Sequence, residues 1–255
     1  MGSEPDVLVE PSPEELAEKS AGRLVATLVA ALGVRPVAHL GLTGGGILEQ
    51  VMRAVRDLPA RDSVEWHRVH VWWADERYVP ADSDERNDKA AFAALLDHLP
   101  LDPALIHRMP ASDSQYGEDV EAAAAAYAAE LAAAVPPEQG GDVPHFDALL
   151  LGIGPDGHCA SLFPEHPGVY EEKAAVIAVR NSPKPPPTRL SLTFRALDAA
   201  NEVWFIASGE GKAKAVAMAL SGADRVHVPS AGPRGRERTL WLIDEAAAAQ
   251  LPPRT

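Results

Sequence analysis

The sequence predicts an α/β protein, with a parallel β-sheet covered by helices on both faces. Short, continuous apolar runs alternate along the chain with segments of helical periodicity, an order typical of parallel sheets built from strand-helix units. The runs do not alternate with polar residues, which indicates strands buried on both faces. Hydrophobic residues make up 46% of the 255 residues and charged residues 24%, a composition that can fill a core. We expect residues 1–255 to form a single domain.

The first predicted element is a long helix. Ser12-Pro13-Glu14-Glu15 has the form of a capping box with proline at the first helical position. Leucine and valine then recur at helical spacing up to Gly33. Similar patterns predict helices over residues 47–55, 89–99, 120–135, 212–220 and 245–251. The alanine-rich stretch within 120–135 is expected to be an ordinary surface helix, because alanine has the highest helix propensity.

Apolar runs predict the strands. They span residues 37–42, 69–74, 146–151, 174–179, 203–207 and 240–243. Two proline-containing segments, 136–141 and 182–187, interrupt the alternation. We expect them to be long loops and not domain linkers, because the composition of the chain does not change across them.

Charge and composition exclude several classes of function. The chain has 23 Lys and Arg against 37 Asp and Glu, so its formal net charge is −14. This charge opposes binding to nucleic acid or an anionic membrane, and an anionic substrate would need a locally basic site. No apolar run approaches the roughly 20 residues that span a bilayer, and the N-terminus lacks the features of a signal peptide. Because Cys159 is the one cysteine, no internal disulfide can form, and we expect a cytoplasmic protein.

The first candidate site is a glycine-rich loop. Parallel α/β sheets bind ligands beyond the carboxyl ends of their strands, and one apolar run ends in Gly41-Leu42-Thr43-Gly44-Gly45-Gly46. Glycines let backbone N–H groups approach an anion, and the following helix adds its positive dipole end. The loop lacks the spacing of nucleotide-binding loops. By itself it is equally consistent with a tight turn that binds no ligand.

A charged segment follows the next predicted strand. It reads Asp75-Glu76-Arg77-Tyr78-Val79-Pro80, with Asn87 further along. Three consecutive charges directly after a buried strand require solvent, partners or substrate. Arg77 can clamp a phosphate or carboxylate, and Asp75 can bind a hydroxyl or orient another side chain. The alternative is an Asp–Arg pair that only fixes the loop.

The most informative segment is the turn Gly154-Pro155-Asp156-Gly157-His158 after another apolar run. A histidine held there can titrate near neutral pH and act as a general base, and Asp156 can orient it or bind substrate. A histidine among glycines is more often structural, but this one lies where the fold would place a site. The adjacent Cys159 is expected to be a small buried residue and not a nucleophile.

Cations are predicted near the same edge of the sheet. Lys184 and Arg189 flank a proline run, and Lys212 ends the segment Ser208-Gly209-Glu210-Gly211-Lys212 after a further strand. They supply the positive charge that an acidic protein needs for an anionic ligand. For any one of them alone, a solvated side chain is the alternative. No CxxC, HExxH or clustered His/Cys motif indicates a metal, and no GxSxG motif indicates a serine hydrolase.

Together these segments resemble the 6-phosphogluconolactonases from about His39 onward. The matching segments are 41–46, 75–80 with Asn87, 154–164, 182–187 and 209–212. The family's glycine loop usually reads Ser-Gly-Gly-Ser, so a hydroxyl contact to phosphate is either missing here or supplied by Thr43. Cys159 stands where the family commonly has threonine. The resemblance implies a Rossmann-like parallel sheet, shared with sugar-phosphate isomerases, without a nucleotide cofactor.

Two other functions are compatible with such a fold. A glucosamine-6-phosphate deaminase/isomerase would continue its Asp-Gly-His turn toward Asn-Glu-Pro, whereas Cys159-Ala160-Ser161-Leu162-Phe163-Pro164 follows here. A non-catalytic sugar-phosphate sensor would normally have a DNA-binding module. This chain has neither spare length nor basic charge for one, so the lactonase interpretation is favoured.

The resemblance implies hydrolysis of 6-phospho-D-glucono-1,5-lactone to 6-phosphogluconate without a metal or other cofactor. His158 would act as general base, Asp75 and Asp156 would hold sugar hydroxyls or the imidazole, and Arg77 or glycine amides would stabilise the oxyanion. The phosphate would be bound by Lys184, Arg189, Lys212 and the amides of Gly44, Gly45 and Gly46. The expected partner is the small phosphosugar lactone. We expect a monomer that binds neither nucleic acid nor membranes.

Overall fold

The computed structural model describes residues 4–252. Its helices are α1 (Pro13–Val34), α2 (Gly46–Asp57), α3 (Asn87–Ala94), α4 (Val120–Ala133), α5 (Phe194–Leu197), α6 (Glu210–Leu220) and α7 (Glu245–Ala248). Its strands are β1 (Asp6–Glu10), β2 (Ala38–Leu42), β3 (Val69–Trp73), β4 (Asp75–Arg77), β5 (Ile106–His107), β6 (Ala148–Leu151), β7 (Val176–Val179), β8 (Arg189–Leu192), β9 (Glu202–Ala207) and β10 (Arg238–Asp244). Short 3₁₀ turns lie at Pro59–Ser63, Trp66–Arg68, Leu96–His98, Pro103–Leu105, Pro167–Tyr170 and Pro229–Ala231.

The main sheet has seven strands in the order β1-β10-β9-β6-β2-β3-β5. Every neighbouring pair in it is parallel. From β2 the chain proceeds through β3 to β5, whereas from β6 it proceeds through β9 to β10 in the opposite direction. Because β2 and β6 are neighbours, the strand order reverses between them. The crevice beyond their carboxyl ends is where α/β sheets of this kind bind ligands.

Both faces of this sheet are covered. All five residues of β2 and all four of β6 are buried, so neither side of these central strands meets solvent. Helix α1 contacts α2 and β10, and α7 contacts α6 and β10. One connected hydrophobic cluster includes residues of the strands and of the helices. The predicted single-domain fold, a Rossmann-like parallel sheet with helices, is therefore confirmed.

Helix α1 begins as the capping box predicts. The hydroxyl of Ser12 accepts a hydrogen bond of 3.2 Å from the N–H of Glu15, and Pro13 occupies the first helical position. The buried face of the helix includes Leu16, Leu24 and Leu28, so periodicity and packing agree. Although α1 is 22 residues long, no helix within residues 4–252 is both long and apolar enough to cross a membrane.

One predicted strand lies in a different sheet. The run at 174–179 was expected to join the parallel sheet, but β7 pairs antiparallel with β8, and β8 pairs antiparallel with β4, in a separate three-stranded sheet. The expectation was wrong because an apolar run indicates burial and not the partner strand. The small sheet places Arg77 opposite Arg189, which brings two predicted site residues together.

Several short elements were not predicted. β1 is an edge strand whose ends are acidic, β5 has two residues, and β4 and β8 have mixed polar and apolar residues, so none has the pattern of a long apolar run. Two predicted helices end early. Helix α3 stops at Ala94, before the 3₁₀ turn at Leu96–His98, and α7 stops at Ala248. Such ends depend on local hydrogen bonds that periodicity does not register.

Candidate active site

A cavity of about 710 Å³ lies where the strand order reverses. It is bounded by the loops after β2 and β6, by the small sheet and by the first turn of α6. Its lining includes ten of the predicted site residues: Thr43, Gly44, Gly45, Gly46, Asp75, Arg77, His158, Lys184, Arg189 and Lys212. Asp156 stands behind His158, to which it is hydrogen-bonded. The fold therefore gathers residues that are up to 169 positions apart in sequence, from Thr43 to Lys212.

The glycine loop presents the N-terminus of α2 to this cavity. The helix begins at Gly46, and its N-cap residue Gly45 has φ 138° and no capping side chain, so the first N–H groups are not occupied by a side-chain acceptor. At Gly44 an added Cβ would lie 1.9 Å from Oδ1 of Asn87. The loop thus needs glycine at Gly44 for close packing and at Gly45 for its backbone conformation. Backbone N–H groups and the helix dipole together favour an anion here.

Thr43 has a structural role in the same loop. Its hydroxyl donates a hydrogen bond of 3.2 Å to the carbonyl of Leu150 and accepts one of 3.2 Å from the N–H of Gly152. The hydroxyl proton therefore points to the backbone of β6. Thr43 thus links the carboxyl ends of β2 and β6 beside the crevice. The sequence left open whether Thr43 donates a hydroxyl contact to phosphate or whether that contact is missing, and this geometry disfavours a donated contact.

Asp75 and Arg77 each have partners other than one another. The buried carboxylate of Asp75 accepts hydrogen bonds from the hydroxyl of Ser161 at 2.7 Å and from the amide of Asn87 at 3.4 Å. The guanidinium of Arg77 donates to the carbonyl of Glu85 at 3.1 Å and to Oδ1 of Asn87. Asn87 therefore stands between the two charged groups and orients both, in place of the direct Asp–Arg pair considered from the sequence.

Glu76 fixes this arrangement from beneath. Its side chain is 1% exposed and accepts hydrogen bonds from the N–H groups of Arg77 and Asn87, both at 2.8 Å, and of Asp88 at 2.9 Å. Burial raises the pKa of Glu76 to about 7, against the opposing effects of the Arg86 charge and of the N–H groups of Asn87 and Asp88. Glu76 satisfies the first N–H groups of α3 and so holds Asn87 in place. This role of Glu76 was not predicted from the sequence, in which the available signal was a charge directly after a buried strand.

The turn before His158 is shaped by its glycines. The N–H of Gly154 donates to the carbonyl of His158 at 2.9 Å, and the N–H of Gly157 donates to the carbonyl of Gly154 at 2.9 Å. Gly157 has φ +86°, a conformation that L side chains rarely adopt. At Gly154 an added Cβ would lie 2.0 Å from Nδ1 of His158. The imidazole therefore lies directly over a position that only glycine can occupy.

His158 and Asp156 form a hydrogen-bonded pair. Nδ1 of His158 lies 2.5 Å from Oδ1 of Asp156. Burial would raise the pKa of Asp156, but the hydrogen bond with His158 and the charges of His158 and Lys184 outweigh it and hold that pKa well below its usual range. Because Asp156 is then an ionised acceptor, Nδ1 holds the shared proton, and in the neutral form of the ring Nε2 has a lone pair. The ring also packs against Phe163, with centroids 4.7 Å apart.

The three predicted cations have different surroundings. Nζ of Lys212 donates a hydrogen bond of 2.7 Å to the carbonyl of Ile153. Burial and the charge of Lys184 lower the pKa of Lys212. Nζ of Lys184 lies 3.3 Å from Asp156. Arg189 is buried and donates to backbone carbonyls of the proline loop. All three residues line the cavity. Of the three, Lys212 is the one that belongs to the first turn of a helix, α6.

Cys159 is fully buried, as expected. Burial and the charge of Asp75 raise the pKa of its thiol far above the usual range, so the nucleophilic thiolate is disfavoured. Within residues 4–252, no three His, Cys, Asp or Glu side chains come together in a way that could hold a metal ion.

Comparison with known proteins agrees with this geometry. The family model described as glucosamine-6-phosphate isomerases/6-phosphogluconolactonase matches residues 11–241. The 6-phosphogluconolactonase of Streptomyces coelicolor is 55% identical over 252 residues, which is 99% of this chain and 97% of that protein. The 6-phosphogluconolactonase of Mycobacterium tuberculosis is 49% identical, over 95% of this chain and 96% of that protein.

Solved structures share the fold. The structure of the 6-phosphogluconolactonase of Trypanosoma brucei matches with a TM-score of 0.83 at 28% identity, and the match covers 99% of this chain and 100% of the trypanosomal chain. A monomeric glucosamine-6-phosphate deaminase has a TM-score of 0.76 at 21% identity, with 96% and 99% covered. Because the identity to the deaminase is only 21%, that likeness concerns the fold alone. From the family match and the full-length relatives we conclude that this chain belongs to the glucosamine-6-phosphate isomerase/6-phosphogluconolactonase family.

Proposed function

We propose that the protein hydrolyses 6-phospho-D-glucono-1,5-lactone to 6-phospho-D-gluconate, the second step of the oxidative pentose phosphate pathway. The observation that carries the proposal is the Asp156–His158 pair, which leaves Nε2 of His158 free at a cavity lined by cations and glycine amides. The full-length identity of 55% to a 6-phosphogluconolactonase supports it. The substrate in this proposal is a small phosphosugar lactone. Its phosphate would bind at the glycine loop and Lys212, and its ester carbonyl would lie near His158.

His158 would act on water. Nε2 accepts a proton as the water oxygen bonds to C1 of the lactone, and the carbonyl oxygen becomes an oxyanion. When the oxyanion collapses, the bond from C1 to the ring oxygen breaks, and the imidazolium returns its proton to that oxygen. The new carboxylic acid then ionises and releases one proton to solvent. Acid–base transfer of this kind contributes roughly 10²–10⁴-fold to the rate.

Asp156 and Asp75 would orient the reacting groups. Asp156 holds the Nδ1 tautomer of His158 and stabilises the transient imidazolium through their hydrogen bond. Asp75 lines the cavity and has carboxylate oxygens able to accept hydrogen bonds from sugar hydroxyls. The oxyanion requires donors, for which Arg77 and the glycine amides are the candidates in reach of the cavity.

The phosphate would bind between α2 and α6. Gly44, Gly45 and Gly46 present backbone N–H groups at the start of α2, and Lys212 belongs to the first turn of α6. Its ammonium has three donors, of which one is used by Ile153. Binding energy at the phosphate, which does not react, fixes the carbonyl near His158.

Proton release distinguishes the proposed reaction from its alternatives. Fresh lactone added to the protein in weak buffer should release one proton per molecule, faster than the spontaneous reaction, with 6-phosphogluconate as the product. A glucosamine-6-phosphate deaminase/isomerase would instead release ammonia from the amino sugar phosphate. A non-catalytic sensor would bind the sugar phosphate without turnover, and either result would overturn the proposal.

Three further properties expected from the sequence are part of this proposal. Activity should survive exhaustive chelation, because the mechanism uses no metal or other cofactor. The protein should be a monomer, which its molecular mass in solution tests. It should work in the cytoplasm, which fractionation of the source cells tests.

A further inference from the structure

The ammonium of Lys184 is placed beside the catalytic pair. Its Nζ lies 3.2 Å from Nδ1 of His158 and 3.3 Å from Oδ1 of Asp156, and those two atoms are 2.5 Å apart. The three groups form a triangle in which one cation contacts both members of the pair. A residue expected to bind the phosphate is therefore already in contact with the general base.

The backbone holds Lys184 in that position. Its carbonyl accepts hydrogen bonds from Ser182 at 3.0 Å and from Arg189 at 3.3 Å, and its N–H donates to the hydroxyl of Ser182 at 3.2 Å. Arg189 also donates to the carbonyls of Pro185 at 3.0 Å and Pro186 at 3.2 Å. The prolines restrict the φ angles on either side, so the loop is fixed at the base of the Lys184 side chain.

Arg189 stabilises this loop through hydrogen bonds to its backbone. Its Nε and Nη2 atoms donate to backbone carbonyls, so the edge of the guanidinium that would grip a phosphate with two hydrogen bonds is occupied. Its buried side chain lies with Cζ 5.6 Å from the ring centroid of Phe163. Arg189 therefore fastens the loop that delivers Lys184.

We propose that Lys184 is a positioning residue that acts through the Asp156–His158 pair, where its charge opposes protonation of the imidazole, and that it is not a phosphate anchor. The inference rests on the proposed role of His158 as base. An imidazolium beside an ammonium is destabilised by like charge, so the ammonium favours the neutral ring, which is the form that can accept a proton from water. The same repulsion makes the transient imidazolium a better acid toward the ring oxygen.

Other charged groups act on His158 as well. Asp156 and Lys184 contact the ring, and the other charged residues that line the same cavity are Asp75, Arg77, Arg189 and Lys212. Asp156 favours the imidazolium, whereas Lys184 compensates the charge of Asp156 at direct contact. Removing the ammonium leaves the carboxylate uncompensated, and the balance shifts toward the protonated ring.

Direct titration of the His158 ring tests the inference without any assay of turnover. Ring proton signals of the whole protein are followed by NMR against pH, and the His158 signal is identified by its absence in His158→Asn. In Lys184→Met, which keeps the side-chain length and removes the charge, the midpoint should move up by about 1 pH unit. Lys184→Arg should restore the wild-type midpoint to within about 0.3 pH units, a small fraction of that shift. The matched control is Lys214→Met, since Lys214 is exposed on α6.

Kinetics separates this role from phosphate binding. If Lys184 acts through the pair, Lys184→Met should move the acid limb of kcat to higher pH, with the dissociation constant of 6-phosphogluconate changed by less than about threefold, far below the loss of a charge-assisted contact. An unmoved His158 midpoint together with a dissociation constant raised roughly ten- to a hundredfold would overturn the inference. If the wild-type protein hydrolyses no lactone, the proposed function fails, and the ring titration still decides whether Lys184 controls His158.

Discussion

The hydroxyl of Ser161 donates a hydrogen bond of 2.7 Å to the buried carboxylate of Asp75. This bond ties the turn that follows His158 to strand β4, two segments separated by 86 positions in sequence. The backbone N–H of Ser161 is bonded in turn to the hydroxyl of Ser191 on β8 at 3.2 Å. These two bonds hold the small antiparallel sheet and the segment after His158 in a fixed position relative to each other.

Ser161→Ala should therefore weaken both stability and activity. The variant leaves the buried Asp75 carboxylate without its shortest hydrogen bond, a loss of about 1–3 kcal/mol in the free energy of unfolding. Denaturant unfolding measures this loss. Ser221→Ala is the matched control, because Ser221 bonds to Met218 at the surface, and it should change stability by no more than about 0.5 kcal/mol. Equal stability of the two variants would contradict the role given to Ser161.

Gly154→Ala should displace the imidazole without removing it. The added Cβ would stand 2.0 Å from Nδ1 of His158 and 2.4 Å from Oδ1 of Asp156. Because a shift of about 1 Å in a catalytic group lowers the rate roughly 10²-fold, kcat should fall by that order while 6-phosphogluconate still binds. The control is Gly22→Ala within α1, where a Cβ meets nothing within 4 Å and activity should be unchanged. Wild-type turnover in Gly154→Ala would show that the turn tolerates a side chain.

Stability should fall in mild acid because of a buried histidine away from the site. Burial and the neighbouring His70 and His107 lower the pKa of His39 to about 3, whereas an unfolded histidine titrates near 6.5. The unfolded chain thus binds the proton first, so this contribution to stability is present above pH 6.5 and is lost as the pH falls toward 3. Lowering the pH from 7 to 5 should therefore reduce the free energy of unfolding by about 2 kcal/mol through His39.

The test of that contribution is His39→Gln. Gln keeps an acceptor for the indole N–H of Trp72, which donates to Nδ1 of His39 at 3.1 Å, and it does not titrate. Urea unfolding of the variant should therefore depend less on pH between 7 and 5 than that of the wild type. Parallel pH profiles for the two proteins would mean that His39 is not the source.

Lys212→Met should weaken phosphate recognition. The substitution keeps the aliphatic packing and removes an ammonium at the start of α6, next to the glycine loop in the cavity lining. Loss of a charge-assisted contact should raise the dissociation constant of 6-phosphogluconate roughly ten- to a hundredfold and weaken inhibition by inorganic phosphate. Calorimetric titration measures both, with Lys214→Met as the control. Unaltered binding would place the phosphate elsewhere.

The segments that bear chemistry could be predicted because chemistry constrains their residue types. The glycine loop, the Asp-Glu-Arg segment and the His158 turn each follow a strand, and parallel strands end at a common edge. The sequence could not show that 174–179 belongs to a second sheet, because pairing partners are set by tertiary contacts. Residues 1–255 as one domain stays a prediction, since it includes positions outside residues 4–252.

The roles within the cavity were harder to predict than its membership. In the sequence, Lys184, Arg189 and Lys212 are all simply cations after predicted strands or beside prolines. Only the structure shows that the Lys184 ammonium contacts the Asp156–His158 pair and that the Arg189 guanidinium donates to loop carbonyls. Glu76 acts through backbone N–H groups of α3, which no side-chain pattern indicates. The hydroxyl of Thr43 donates a hydrogen bond to the carbonyl of Leu150, a partner 107 positions away in sequence.

If His158 is the general base, His158→Asn should remove most of the turnover and leave binding intact. Asparagine keeps a polar side chain on the turn and leaves Lys212 and the glycine loop untouched, so 6-phosphogluconate should bind with near wild-type affinity. Rates of lactone hydrolysis, corrected for the spontaneous reaction at the same pH, should fall by roughly 10²–10⁴-fold. A variant that binds 6-phosphogluconate and hydrolyses the lactone at a near wild-type rate would remove His158 from the mechanism and leave Asp75 as the next base to test.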